Sequence, residues 1–114
     1  MVRSKKEMNT ELREHMRGGE GIVSITHLVE KEQLHNCRLM SSIEIPIGAS
    51  IGQHTHENET EYYIIMEGEG KVLEADGEKT VGSGDVVVTG HGESHSIRNA
   101  GSTPLFMVAI IITH

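Results

Sequence analysis

Apolar and polar positions alternate along most of the chain, in short runs broken by glycine, proline and small polar residues. Ile22 to Glu30 is rich in β-branched residues, and Cys37 to Ile47 alternates up to a stop at Pro46 and Gly48. Ser50 to His56, Glu61 to Glu67 and Val86 to Thr89 read as further strands. Lys71 to Ala75 and Glu78 to Val81 flank Asp76-Gly77, a hairpin signal because type I′ turns need positive φ at both central residues. Gly68-Glu69-Gly70 reads as a turn or bulge. Ser94 to Asn99 and Leu105 to Thr113 flank a turn at Ala100-Gly101-Ser102, and the apolar run Phe106 to Ile112 suits a buried strand. Nine short strands at this spacing predict a sandwich or barrel. One stretch differs. Met8, Leu12 and Met16 recur every four residues between Lys5 and Arg17, which predicts a short helix capped by Asn9 or Thr10 and ended by Gly18 and Gly19. The expected organisation is a helical segment over residues 1–20 and a β-barrel domain over 21–114.

Composition sharpens this reading. Thirteen glycines among 114 residues fit many tight turns, and the absence of Trp, with two Tyr and one Phe, predicts an aliphatic core. A chain of this length makes one domain with a large surface-to-volume ratio, and such domains gain burial by pairing. A homodimer is expected, protecting the aliphatic edge Ile22 to Val29. The net charge of −7, from 17 acidic and 10 basic residues, argues against nucleic acid and anionic membrane as partners. Cys37 is the only cysteine. An intramolecular disulfide is therefore impossible, which fits a reducing compartment. Met1 to Arg17 lacks the apolar core of a signal peptide, and no run approaches the roughly 18 apolar residues of a membrane helix. The expected location is the cytoplasm.

Eight histidines invite a search for metal ligands. His54 and His56 are separated by one residue, so on a strand their imidazoles share a face while Thr55 points away. Glu61 follows a four-residue loop, where an antiparallel return would bring it back to them. His95 opens a later strand and joins only through the fold. Three imidazoles and a carboxylate suit manganese, iron, nickel, cobalt or zinc, with Mn2+ or Fe2+ favoured, and they leave positions open for a ligand. Tyr63, two residues past Glu61, shares its inward face and could touch a substrate. His91, in a glycine-rich turn, is the candidate mobile acid or base at the cavity mouth. Gln53 and Arg98 read as solvated strand residues, and Cys37 as a small buried residue. No nucleophile elbow, phosphate-binding loop or dinucleotide fingerprint is present.

The spacing Gly48, five residues, His54, one, His56, four, Glu61, six, Gly68 resembles the first motif of the cupin superfamily. Gly84, five residues, Gly90, one, Gly92, two, His95, three, Asn99 resembles the second, with Gly90 where the family usually has proline. Looser similarity to small single-domain bacterial cupins, some labelled oxalate-decarboxylase-like, runs from about Gly18 to Thr113. The resemblance implies an all-β double-stranded β-helix with a metal inside, ligated by His54, His56, Glu61 and His95. It implies structural roles for Gly48, Gly68, Gly84 and Gly92, and a turn or supporting role for Asn99. The expected function is a metal-dependent enzyme on a small organic acid or oxygenated metabolite, of decarboxylase, dioxygenase or isomerase type. The alternative is a non-enzymatic module that binds or senses a small ligand.

Overall fold

Alternation decides which face each strand buries. In the strand Leu105–Thr113, Leu105, Met107, Ala109 and Ile111 are buried while Phe106 and Ile112 face outward, the pattern of a sheet with one covered face. The computed structural model describes residues 1–114 and contains ten strands. They are β1 (Asn9–Glu14), β2 (Ile22–His27), β3 (Cys37–Ile45), β4 (Ser50–Thr55), β5 (Glu59–Glu67), β6 (Glu69–Glu74), β7 (Gly77–Gly82), β8 (Val86–Gly90), β9 (Ser94–Asn99) and β10 (Leu105–Thr113). All pair antiparallel, in a six-stranded sheet ordered β1-β2-β3-β10-β5-β8 and a four-stranded sheet ordered β4-β9-β6-β7. The inner faces meet over an aliphatic core that includes Ile25, Ile43, Ile65 and Met107 from the larger sheet and Ile51, Val72 and Ile97 from the smaller. Tyr63 is the one aromatic residue in it. No helix is long and apolar enough to cross a membrane.

The helix expected over Lys5 to Arg17 does not form. Two single 3-10 turns, Lys5–Glu7 and Met16–Gly18, bracket strand β1, which pairs with β2 from Asn9 opposite His27 to Glu14 opposite Ile22. A repeat of four fits both a 3.6-residue and a two-residue period, so the Met8-Leu12-Met16 spacing does not separate helix from strand. Pairing with β2 decides it, since tertiary context overrides weak local propensity. Leu12 is 70% exposed, so the stripe is no buried seam. β1 also covers the edge of β2 that the sequence reading leaves open. The β6–β7 turn is Ala75-Asp76, one residue earlier than expected, because Gly77 at φ 123° already pairs with Glu74. The Gly68-Glu69-Gly70 turn shrinks to Gly68, with Glu69 and Gly70 paired to Gly82 and Val81.

Between β1 and β2 the chain forms a strap across β4. His15, Arg17 and Gly18 have φ of 51°, 55° and 80°. The Glu20 and Ser50 backbones join by a 2.9 Å hydrogen bond, and the Ser50 hydroxyl accepts from the Glu20 N–H at 2.8 Å. A Cβ on Gly19 would lie 2.3 Å from the Ser50 carbonyl oxygen, and one on Gly52 would lie 2.1 Å from that of Arg17. Backbone against backbone leaves room there for hydrogen only. At the far end Asn99 staples the last turn, donating to the Ile45 and Thr103 carbonyls and accepting from the Gly101 N–H.

Gly52→Ala should therefore lower the free energy of unfolding by about 1–3 kcal/mol, the usual cost of overpacking. Urea denaturation followed by circular dichroism measures this, and an unchanged midpoint would show that the strap is not seated on β4.

Candidate metal centre

The register of the smaller sheet sets His54 on β4 directly opposite His95 on β9. Alternation on β5, in the larger sheet, turns Glu61, Tyr63 and Ile65 inward, and Glu61 lies opposite Thr89 on β8. β4 stops at Thr55, one residue short of expectation. His56 is then held by its own backbone, donating to the Glu93 carbonyl at 3.0 Å and accepting from the Gly92 N–H at 2.8 Å. Thr55 points away, its hydroxyl 2.6 Å from that of Ser94. The four expected donors thus converge where the two sheets face each other.

Their separations are those of a ligand set. Glu61 Oε1 is 2.8 Å from His56 Nε2, 2.9 Å from His95 Nε2 and 3.4 Å from His54 Nε2. His95 Nε2 lies 2.9 Å from His54 Nε2 and 3.2 Å from His56 Nε2. Donors about 2.1 Å from an ion and at right angles to each other stand about 3.0 Å apart. The outer nitrogens are engaged elsewhere. His54 Nδ1 donates to the Gly52 carbonyl at 2.8 Å and His56 Nδ1 to the Glu59 carboxylate at 2.5 Å, while His95 Nδ1 shares a hydrogen bond with the Thr89 hydroxyl at 2.7 Å. A carbonyl and a carboxylate only accept, so those contacts turn Nε2 lone pairs inward, as at metal-ligating histidines. The donor set fits a divalent ion, and these four residues could hold one.

Charge follows from the surroundings. Burial pushes the Glu61 pKa up, but contacts from His54, His56 and His95 outweigh it and hold the carboxyl far below its usual range. Glu61 is therefore ionised. Burial pulls the His95 pKa down more than Glu61 raises it, which keeps that ring neutral. Burial pulls His56 the same way, but Glu61 and Glu59 prevail and raise its pKa. Glu59 is held at about 2, chiefly by Arg38, whose guanidinium reaches it with two bonds of 2.6 and 2.8 Å.

A cavity of about 130 Å³ runs from His54, His56 and Glu61 past Tyr63 to a mouth flanked by Arg13, Arg17 and Arg38. The Tyr63 ring stacks on His95, with centroids 4.8 Å apart and planes within 10°. Its hydroxyl titrates well above the ordinary value because it is buried and because a second negative charge beside Glu61 is disfavoured. His91 is not brought to this cavity. It lines a separate surface depression with Glu57, Asn58, Glu59 and His114. Gln53 is exposed, and Cys37 is half-buried with its thiol donating to the Leu39 carbonyl. The sequence reading did not single out Glu59, Thr89 or the three arginines. Alternation on β8 carried a signal for Thr89, since Val87 and Thr89 share the buried face.

Comparison with known proteins gives concordant results. The family model for the Cupin domain matches residues 41–111. An oxalate-binding protein of Thermotoga maritima is 43% identical over 113 residues, covering 98% of this chain and 93% of that protein. The crystal structure of a predicted oxalate decarboxylase from Thermotoga maritima superposes with a TM-score of 0.94 at 43% identity, over 100% of both chains. The Cnp3 cupin domain of Schizosaccharomyces pombe shares the fold alone, with a TM-score of 0.73 at 16% identity over 91% of this chain and 69% of that one.

His54→Ala combined with His56→Ala should abolish stoichiometric metal binding, measured by elemental analysis, while far-ultraviolet circular dichroism still reports a β protein. One equivalent of metal in the double variant would refute the ligand set. A second expectation concerns pH. Metal binding needs neutral imidazoles, and His56 is the first to compete for a proton because its pKa is raised. A raised folded-state pKa stabilises the metal-free protein on the acid side, whereas the metal-loaded protein loses stabilisation there. The melting temperatures of metal-loaded and chelator-treated protein should therefore converge between about pH 7.5 and pH 5. A constant gap would break the link between these histidines and the ion.

Proposed function

Because the chain belongs to the cupin family, we propose that it holds one divalent metal ion, Mn2+ or Fe2+, through His54, His56, Glu61 and His95, and acts there on a small organic acid. The observation that carries this reading is the cavity. At about 130 Å³ it falls below the roughly 300–1,000 Å³ of drug-sized ligand pockets, so it admits only a few heavy atoms. Its lining takes in three of the four donors, His54, His56 and Glu61, together with Arg13, Arg17 and Arg38. The mixed nitrogen and oxygen donors suit these metals. When bound, such an ion supplies Lewis acidity toward the oxygens of a coordinated acid.

The protein's own groups do the rest. The Nδ1 bonds to Gly52, Glu59 and Thr89 fix the three rings, so little reorganisation accompanies ligand capture. Aliphatic Ile43, Ile51 and Ile111 wall the cavity and limit water. The Tyr63 hydroxyl keeps its proton and can donate a hydrogen bond to a substrate oxygen. The reactions that fit are decarboxylation, oxygenation and isomerisation. A second reading, capture without turnover, is favoured by the absence of His91 from the cavity lining and by the oxalate-binding description of the Thermotoga maritima relative.

Elemental analysis of the purified protein should find about one equivalent of manganese or iron. Metal-loaded protein mixed with small mono- and dicarboxylic acids should then show a raised melting temperature with consumption of at least one acid. A thermal shift without consumption selects the binding reading, and no shift with any acid refutes both.

The proposal includes a homodimer, now supported by another surface. Val108, Ile64 and Val86 form one row across β10, β5 and β8, and Ile110, Tyr62 and Val88 form the next. Both rows lie on the outer face, where Val86 and Val88 are more than half exposed, and contiguous apolar surface marks an interaction site. Light scattering at micromolar concentration should give twice the 12.5 kDa chain mass. Val86→Glu with Val88→Glu should return the monomer mass, and a monomeric wild-type protein would rule the dimer out.

A further inference from the structure

Three arginines stand at the mouth of the metal cavity, and two of them are engaged. Arg38 is clamped by Glu59 through two bonds of 2.6 and 2.8 Å, and Arg13 pairs with Glu11 at 3.0 Å. Glu11, the other acid of the lining, also faces His27 at 3.7 Å. Arg17 lines the same cavity and pairs with no acid of the chain. It is the cation left free to meet a ligand.

The backbone beneath Arg17 is specialised to hold it there. Arg17 adopts φ 55° and ψ 30°, a left-handed conformation that few residues other than glycine adopt. His15 before it and Gly18 after it are also left-handed. The turn is closed by the His15 Nδ1 contact to the Gly19 carbonyl at 3.1 Å. The Arg17 carbonyl is pressed onto β4 over Gly52, where a methyl group would not fit. Such conformations persist only where the surroundings over-determine them, and they gather at ligand sites.

We propose that Arg17 is the specificity-determining residue of the cavity, taking the outer carboxylate of a small dicarboxylic acid whose inner end faces His54, His56, Glu61 and His95. The inference rests on the small-acid reading above. A guanidinium presents its N–H donors as a planar fork that matches a carboxylate with two parallel bonds. The cavity volume of about 130 Å³ keeps the two carboxylates adjacent or one carbon apart. A monocarboxylic acid of equal size reaches the inner end but leaves Arg17 solvated.

Calorimetric titration of metal-loaded protein with oxalate and with glycolate tests this. The two acids are alike in size, but only oxalate carries a second carboxylate. Wild-type protein should bind oxalate about ten- to a hundredfold more tightly, the worth of charge-assisted hydrogen bonds. Arg17→Ala and Arg17→Gln should lose that preference, keep one equivalent of metal and change glycolate affinity by less than about threefold, well inside a single tenfold step. Arg17→Lys should recover part of the preference, since it restores charge without the fork. Equal preference in wild type and Arg17→Gln would overturn the role of Arg17 while small-acid binding stands. Failure of wild-type protein to bind either acid would overturn both.

Discussion

Three imidazole nitrogens and a carboxylate oxygen crowd into one small volume of the interior, where shared protons hold them together and a cation could take the place of those protons. In water such donors would drift apart. Here each ring is tethered from behind, by the Gly52 carbonyl, the Glu59 carboxylate and the Thr89 hydroxyl. Glu59 is tethered in turn by Arg38. These tethers come from both sheets: His54, His95 and Gly52 belong to the smaller, Glu61, Glu59, Thr89 and Arg38 to the larger. An ion at their centre would therefore clasp the two layers together, adding to the aliphatic core.

Local and global charge oppose each other. The chain carries −7 overall, which repels anions at long range. The cavity is more nearly balanced: Arg13, Arg17 and Arg38 line it with the acids Glu11 and Glu61, and a divalent ion at the four donors would tip it to net positive. At physiological ionic strength fields fade over ~8 Å, so an anion near the mouth meets the local cations and little of the remote acids.

How much of this was legible in the sequence depends on the physics behind each element. Alternation, β-branched content and turn residues together revealed β2 to β10 within a residue or two at most ends, because burial on one face imposes a period of two and tight turns need glycine or small polar residues. The Gly-to-Gly and Gly-to-Asn spacings named His54, His56, Glu61 and His95 through their resemblance to the cupin motifs, and the fold brings these four together. β1 was misread because a spacing of four suits helix and strand alike, and the pairing that decides is with β2, the next strand in the chain. The strap left little trace beyond Gly18, Gly19 and Gly52, since its left-handed turn at His15 and Arg17 occurs at residues that do not advertise it. Arg38 and Glu59 lie 21 residues apart, and only the register of β3, β10 and β5 brings them together. His91 was expected at the mouth, but its loop turns it toward His114.

β10 lies at the centre of the larger sheet, bonded to β3 on one side and β5 on the other, although it follows every other strand in the chain. During synthesis the halves carrying β1 to β3 and β5 with β8 thus have no common partner until β10 leaves the ribosome. Glu61 on β5 faces Ile111 of β10 across the sheet, so the wall behind the donors is also completed last. Long-range pairings of this kind form slowly and leave strand edges exposed while they are pending. Nascent chains of this protein pass through a stage in which His54, His56 and Glu61 are already made but not yet gathered. An ion that needs all four donors would thus meet them gathered only in chains whose final strand has docked.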